Sequence, residues 1–399
     1  MKYLVAAFGA ACALSALPAL AQAPAPSPSP SPAASASPAA TPDPAPTKAW
    51  VPSGFAAVQI PNVYGANSFL FTNGTSSRTF ETLNQQPMFN ALNVQAVRSG
   101  LIGGKVELEA GTNANVIASY PENIDSFDVT QLYASYNPGP FSLIVGKFAT
   151  LAGAEVIEDP NNVNISRSIL FGFAVPFTHT GARLSYSPTS KFSIIGGVDN
   201  GWDNLKGNGT GAKTAEYGIA YNGPAISITA QGYSGTERIS NVAWDEPVGP
   251  SLGHRSLIDV VGTLKATPSL TFVGNFDRGQ QENAPILLGD GTQETNALNQ
   301  LVFGTDTWTG IAGYGTYQIT PRWVASLRGE TFIDSGGYRT GFDQHWRETT
   351  LTFGYAPSSS LLFRIEGRAD ASNQAVWTDA DGKLRNTLQS VALQAIVKF

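Results

Sequence analysis

The sequence predicts an all-β fold: a transmembrane, antiparallel, up-and-down β-barrel of about sixteen strands, with short periplasmic turns and long external loops. Three observations carry that prediction. From about residue 50 onward, apolar and polar residues alternate with period two, as they do on strands with two unlike faces. The connections between these segments are alternately very short and long, which is the asymmetry of a barrel with one tight and one open rim. The chain stops on an alternating strand, TLQSVALQAIVKF at 387–399, with a terminal aromatic. There Val391, Leu393, Ala395, Val397 and Phe399 share one face, Ser390, Ala392, Gln394 and Lys398 the other, and only Ile396 breaks the pattern. A barrel that closes in the outer membrane needs such a last strand, because it pairs with the first and turns its apolar face to lipid.

The N-terminal segments precede the barrel. Lys2 supplies a positive n-region, residues 3–20 are an apolar run, and Ala21-Gln22-Ala23 is an A-x-A cleavage site. Residues 1–23 read as a signal peptide for Sec-type export, with Pro24 as the mature N-terminus. An uncleaved anchor fits less well, for no stop-transfer flank follows. Cys12, the only cysteine, lies inside the apolar run and is preceded by Gly9-Ala10-Ala11, unlike a lipoprotein cysteine. The mature chain then has no disulfide, thiolate metal site or cysteine nucleophile. Residues 24–50 are Pro/Ala/Ser-rich. Having no apolar face to bury, they are expected to form a solvated, extended linker. A cell-wall contact through this arm and a disordered tail without a partner both remain open.

Residues 51–399 form the expected barrel. No apolar run of eighteen follows residue 50, so no transmembrane helix is expected. Net charge is −6 with no basic block, which argues against nucleic-acid binding. In order, the predicted strands are 54–65, 88–98, 103–111, 127–137, 140–148, 179–187, 191–200, 213–222, 225–233, 255–266, 269–279, 306–319, 321–333, 345–355, 359–370 and 387–399. The first is the weakest, because Pro61 interrupts it. In 359–370, Leu361, Phe363, Ile365, Gly367 and Ala369 oppose Arg364, Glu366, Arg368 and Asp370. An Arg at mid-bilayer costs roughly 2–4 kcal/mol, so the register is fixed and the charged face is expected to be wet. Lys105, Glu107 and Glu109 repeat the pattern in 103–111, Arg328 and Glu330 in 321–333, and Arg255 and Asp259 in 255–266.

Loop lengths favour a barrel over a sandwich. Tight turns such as Asn137-Pro138-Gly139-Pro140 and Ser187-Pro188-Thr189-Ser190 alternate with long polar connections at about 66–87, 112–126, 149–178, 201–212, 234–254, 280–304, 334–344 and 371–386. Tyr136, Phe141, Tyr186, Phe192, Tyr221, Tyr317, Trp323, Tyr355 and Phe399 gather beside the short turns, where an interfacial girdle belongs. Sixteen strands leave a lumen wide enough for an aqueous channel.

Residues 146–203 resemble the OmpL-like β-barrel porins. The resemblance rests on Gly146-Lys147-Phe148, Gly153-Ala154-Glu155-Val156-Ile157-Glu158, Asn164-Ile165-Ser166-Arg167-Ser168, the stretch from Phe171 to Gly181, and Asn200-Gly201-Trp202-Asp203. It implies an outer-membrane pore with no cofactor, and supplies no substrate or set of binding residues. The 149–178 connection holds the place of the loop that narrows general porins. By that analogy Glu155, Glu158, Asp159 and Arg167 are expected at the constriction. Lys105, Glu107, Arg183, Arg328, Glu330, Arg364, Glu366 and Arg368 are expected on the pore wall. Opposed charges there would set up a transverse field. Alternatively, Glu155 and Arg167 pair with wall residues and pin the loop. Lumen charges look nearly balanced, so ion preference is not legible.

Enzymatic patterns are weak. Gly249-Pro250-Ser251-Leu252-Gly253 fits G-x-S-x-G, but sits in a Pro-rich loop rather than at a strand-to-helix elbow. Neither His179, His254 nor His345 is matched to a serine by pattern. Asp379-Ala380-Asp381-Gly382 is expected to be a tight turn, since the glycine comes too early for a calcium loop and Ser390 stands where a Glu should be. No catalytic, cofactor or metal site is expected. Two function classes stand: passive diffusion of small hydrophilic solutes through an outer-membrane pore, or a non-conducting barrel that anchors the arm or presents its loops. The expected surroundings are outer-membrane lipid. General porins of this size are often homotrimers.

Overall fold

Sixteen of the alternating segments become strands that cross a single closed sheet. In the computed structural model, the described residues are 49–399 except 67, 75, 82, 120–124, 208–210 and 240–251. The predicted leader and all of the linker but its last two residues therefore lie outside them. The strands are β1 (Val51–Tyr64), β2 (Met88–Arg98), β3 (Ile102–Ala110), β4 (Phe127–Tyr136), β5 (Phe141–Ala149), β6 (Thr178–Thr189), β7 (Phe192–Asp199) and β8 (Thr214–Asn222). They continue as β9 (Ile226–Arg238), β10 (Leu252–Thr267), β11 (Leu270–Pro285), β12 (Phe303–Thr320), β13 (Trp323–Ser335), β14 (Gln344–Ser358), β15 (Leu361–Ser372) and β16 (Thr387–Lys398). Each pairs antiparallel with its neighbours in sequence, and β1 pairs with β16 to close the barrel. Full closure leaves no unpaired edge facing lipid.

The two faces separate as the alternation requires. On β16, Leu393 and Val397 are each 50% exposed on the outer wall, whereas Gln394 is buried inside. The aromatic girdle forms: Phe141 stacks on Tyr186 at 4.7 Å and Trp323 on Tyr355 at 4.6 Å between ring centroids. Ile396, the exception in the last strand, points inward and packs with Phe55, Ala57 and Ala91 in a small apolar patch at the periplasmic end of the lumen. Pro61 does not interrupt β1. Pairing of β1 with β2 ends at Gln59, and past that point the first external loop (65–87) serves the free edge, with Gln85 N–H donating to Pro61 O. Proline is tolerated where a ladder ends.

Strands β9 to β12 run farther outward than the sequence pattern suggests, for example to Arg238 rather than 233 and to Pro285 rather than 279. Above the bilayer the ladder continues but lipid no longer selects apolar residues, so the alternation fades while the hydrogen bonds persist.

One expectation is corrected. The charged wall does face inward, but loops cover this part of it. Arg328, Glu348, Arg364, Glu366, Arg368 and Asp370 are all buried. The first loop and the third loop (150–177) fold into the barrel and cover them. These loops bring Phe69, Phe71, Phe80, Leu170 and Phe171 into one cluster with the wall side chains Trp308, Phe332 and Trp346. The apolar core of this protein thus lies inside the barrel, built between loops and wall.

Candidate pore constriction

Strands β13, β14 and β15 carry a lattice of charge. Glu330, Glu348 and Asp370 are register partners in one row, and Arg328, Thr350 and Arg368 form the next. Neighbouring rows of opposite sign hold each other: Arg328 Nε lies 2.6 Å from Glu348 Oε1, and Arg368 Nη2 lies 2.8 Å from Asp370 Oδ1. The lattice also grips the main chain of the third loop. Glu366 accepts N–H bonds from Ile165 at 2.6 Å and Ser166 at 2.9 Å. Glu330 accepts them from Ile169 at 2.7 Å and Leu170 at 3.1 Å. In the other sense, Arg364 donates to the carbonyls of Asn162, Asn164 and Asp159, Arg328 to that of Ser166, and Arg368 to that of Arg167. Hydrogen bonds to charged groups contribute about 1.5–3 kcal/mol each, so the loop is firmly seated.

The four residues expected at the constriction lie in that loop, inside the lumen. Glu155 pairs with Arg328 at 2.8 Å and also accepts the Ser168 N–H. Glu158 sits 3.6 Å from Lys105. Burial and the nearby Glu107 push its carboxyl up to about 7 against the pull of Lys105. Asp159 and Arg167 pair with each other at 2.9 Å within the loop. Arg167 further donates to the carbonyls of Val156, Ile165 and Ile157 and lies 4.9 Å from the Phe80 ring centroid. Charges that the sequence sets across an open gap are therefore largely joined to each other.

The remaining wall residues divide. Lys105 and Glu107 pair at 2.7 Å, and Glu107 also accepts from Asn93 and Gln131. Arg183 stands apart from the lattice. It pairs with Glu216 at 2.8 Å and lies over the Phe148 ring at 4.3 Å.

Sequence reasoning missed the first loop, which it takes for a polar external connection. Arg78 reaches Asp370 at 2.5 Å. Phe71 lies edge-on to Trp346 and Phe342, and Phe80 stacks on Phe171 at 6.2 Å. The two loops interlock at Gly172, where a Cβ would meet Thr79 Oγ1 at 1.9 Å. The available signal was Phe69, Phe71 and Phe80 in a segment otherwise mostly polar, since a solvated loop has no use for three large apolar rings. Glu81 in the same loop is buried with both carboxylate oxygens unpartnered, and burial pushes it up to about 7.

The histidines also resolve. His254 lies near the start of β10 on the outer wall, and its Nε2 lies 3.0 Å from Ser234 Oγ of β9, a pairing that sequence distance concealed. His179 is buried and stacks on Tyr233 at 4.6 Å. Residues 249–251 of the G-x-S-x-G pattern lie outside the described residues. Asp379 forms the expected turn, accepting the N–H groups of Asp381 and Lys383 and pairing with Arg385. Among the described residues no group of His, Cys, Asp or Glu is arranged to hold a metal ion.

Residues 57–399 match the family model described as "Putative beta-barrel porin-2, OmpL-like". Solved structures share the fold at low identity. In-vitro folded OmpT of Vibrio cholerae, an outer membrane protein in its trimer form, is 10% identical, with a TM-score of 0.58 over 88% of this chain and 99% of that one. The outer membrane channel DcaP of Acinetobacter baumannii is 14% identical, with a TM-score of 0.55 over 88% and 97%. Pseudomonas putida OprB is 10% identical, with a TM-score of 0.54 over 88% and 94%. No curated protein matches the sequence.

Proposed function

The chain belongs to the family of OmpL-like β-barrel porins, type 2, and from that premise we propose that it forms a water-filled pore for passive diffusion of small hydrophilic solutes. It is a porin-like barrel of the outer membrane. The observation that carries the reading is a third loop drawn across the lumen of a closed sixteen-stranded barrel and fastened to a charged wall. A loop so held sets a fixed cross-section, which a sieve for solutes requires. Glu155, Glu158, Asp159 and Arg167 are its constriction residues in this proposal. Lys105, Glu107, Arg183, Arg328, Glu330, Arg364, Glu366 and Arg368 form the wall that holds or faces them. The reading is transport rather than catalysis.

The proposal includes Sec-type export through residues 1–23 and a cell-wall contact through the Pro-rich arm of residues 24–50. The barrel assembles as a homotrimer, as the trimer form of OmpT invites by its shared fold.

A specific observation favours the second reading, a non-conducting barrel that anchors its arm or loops. The first loop adds Phe69, Phe71 and Phe80 to the apolar cluster inside the barrel. Single-channel recording in a planar bilayer separates the two. Stepwise conductance of open-pore size supports the porin. A correctly folded barrel that stays silent rejects it.

A further inference from the structure

A groove crosses the lipid-facing wall of the barrel. Its floor is bare backbone: Gly262 of β10, Gly274 of β11, Gly313 of β12 and Gly329 of β13 are register partners in one row on the outer face. At Gly262, Gly274 and Gly313 a Cβ would meet no atom within 4 Å, and at Gly329 it would meet only Glu348 O, at 3.9 Å. None of the four has a positive φ, so backbone conformation does not call for glycine here. One row nearer the periplasm, Leu264, Phe272 and Leu327 stand out from the wall. Floor and side chains bound a cavity of about 780 Å³. Glycine inside a strand weakens the sheet and marks a place where something approaches the backbone closely.

Polar groups stand over the groove on the side of the external loops. Thr331 and Arg347 are register partners one row farther out than the glycines, and Arg278 and Thr309 two rows farther out. Arg278 Nη1 donates to Thr309 Oγ1 at 3.0 Å, across to β12, the side on which Arg347 lies. Among the described residues neither arginine has a carboxylate oxygen within 4.0 Å. Arg347 is eight residues out along β14 from Tyr355 of the periplasmic girdle, roughly 27 Å of strand and about 20 Å of height at barrel tilt. The apolar band of such a wall is about 25 Å tall. The guanidinium therefore sits near the outer border of the hydrocarbon, at the depth where lipid headgroups can supply an anion.

We propose that this face binds a lipopolysaccharide of the outer leaflet, with an acyl chain in the groove and the phosphates of the sugar headgroup on Arg278 and Arg347. Three strand spacings, about 14 Å, separate the two arginines across the wall. A disaccharide with a phosphate at each end can meet both, whereas a glycerol phospholipid brings a single phosphate. Thr309 and Thr331 place hydroxyls between them for the sugar. One hydrocarbon chain is as apolar as another, so the preference comes from the headgroup, and the groove fixes where the chain lies. The inference rests on the barrel's place in the outer membrane and holds whether or not the barrel conducts.

The test titrates the refolded mature chain in detergent with diphosphoryl lipid A and, separately, with phosphatidylglycerol, and counts bound lipid by native mass spectrometry. The wild type is expected to hold lipid A in preference to phosphatidylglycerol. Arg278→Gln with Arg347→Gln is expected to weaken lipid A binding by about tenfold or more. Gly274→Leu with Gly313→Leu fills the groove, in space that is open for both side chains, and is expected to weaken binding as well. Gly196→Leu, at an equally open glycine on the outer face of β7, leaves it unchanged. The exposed arginines keep the test decisive where the glycine variant does not fold. A wild type that binds no lipid A, or binds phosphatidylglycerol as well, overturns the proposal. So does an affinity unmoved by the arginine variant. A wild-type oligomer that falls apart in the glycine variant also overturns it, for a second copy of the chain then fills the groove.

Discussion

Gly54 and Phe399 are bonded to each other twice across the closing seam, Gly54 N–H to Phe399 O at 2.9 Å and Phe399 N–H to Gly54 O at 3.0 Å. The Phe399 ring lies over the glycine so closely that a Cβ there would meet Cε2 at 2.7 Å, and Asn93 O at 2.3 Å. Gly54→Val should therefore strain the seam by roughly 1–3 kcal/mol. The expected outcome is a lower yield of heat-modifiable, folded barrel on cold gel electrophoresis and an earlier midpoint in urea. Equal yield and midpoint would show that the seam does not depend on this contact.

Arg328 is the node of the interior. It is fully buried and meets Glu155, Glu330 and Glu348 within 4 Å. Arg328→Met leaves three carboxylates facing one another, at a cost of about 3–5 kcal/mol. The third loop should loosen before the barrel opens. Limited proteolysis within 150–177 should accelerate while strand content by circular dichroism holds.

The interlock of the two inner loops can be broken and mended. Gly172→Ala collides with Thr79 and should expel the first loop, seen as new protease sites between residues 65 and 87. Thr79→Ala removes the hydroxyl that is struck first. The double variant should regain much of the protection, since the two side chains share one space.

Glu81 makes first-loop docking depend on pH. Its docked value of about 7 exceeds the usual carboxylate range near 4.5. Between those two pH values the docked loop holds a proton that the undocked loop has released, so docking weakens as pH rises through that window. The loss reaches about 3 kcal/mol once both forms are ionised. Protection of the first loop from protease should fall between pH 5 and 8, and Glu81→Gln should flatten the profile. A wild-type profile already flat would mean that Glu81 is ionised when docked.

How much of this was legible follows from what selects each residue. Lipid selects strongly and locally, so Leu361 through Asp370 declare their faces from sequence alone, and the sixteen strands follow. The lumen selects through long-range contacts. Glu366 looks like a wall charge in the sequence, yet its partners are the N–H groups of Ile165 and Ser166, some two hundred positions away. Peptide groups leave no mark on the sequence, so the pinning of the third loop could be entertained but not read. Phe71 and Phe80 could have been read, because apolar rings in a polar connection need somewhere to go.

The wall's hold on peptide groups sets the terms on which the third loop can change. Glu330 and Glu366 recognise Ile165, Ser166, Ile169 and Leu170 by their amides, and almost any amino acid can present an amide. The buried side chains of that stretch, Ile169 and Leu170 among them, are held to apolar groups of similar size by the cluster they join, while the path of the chain is held by its amides. Proline is shut out at those four sites on a separate ground, for it would arrive with no hydrogen to offer.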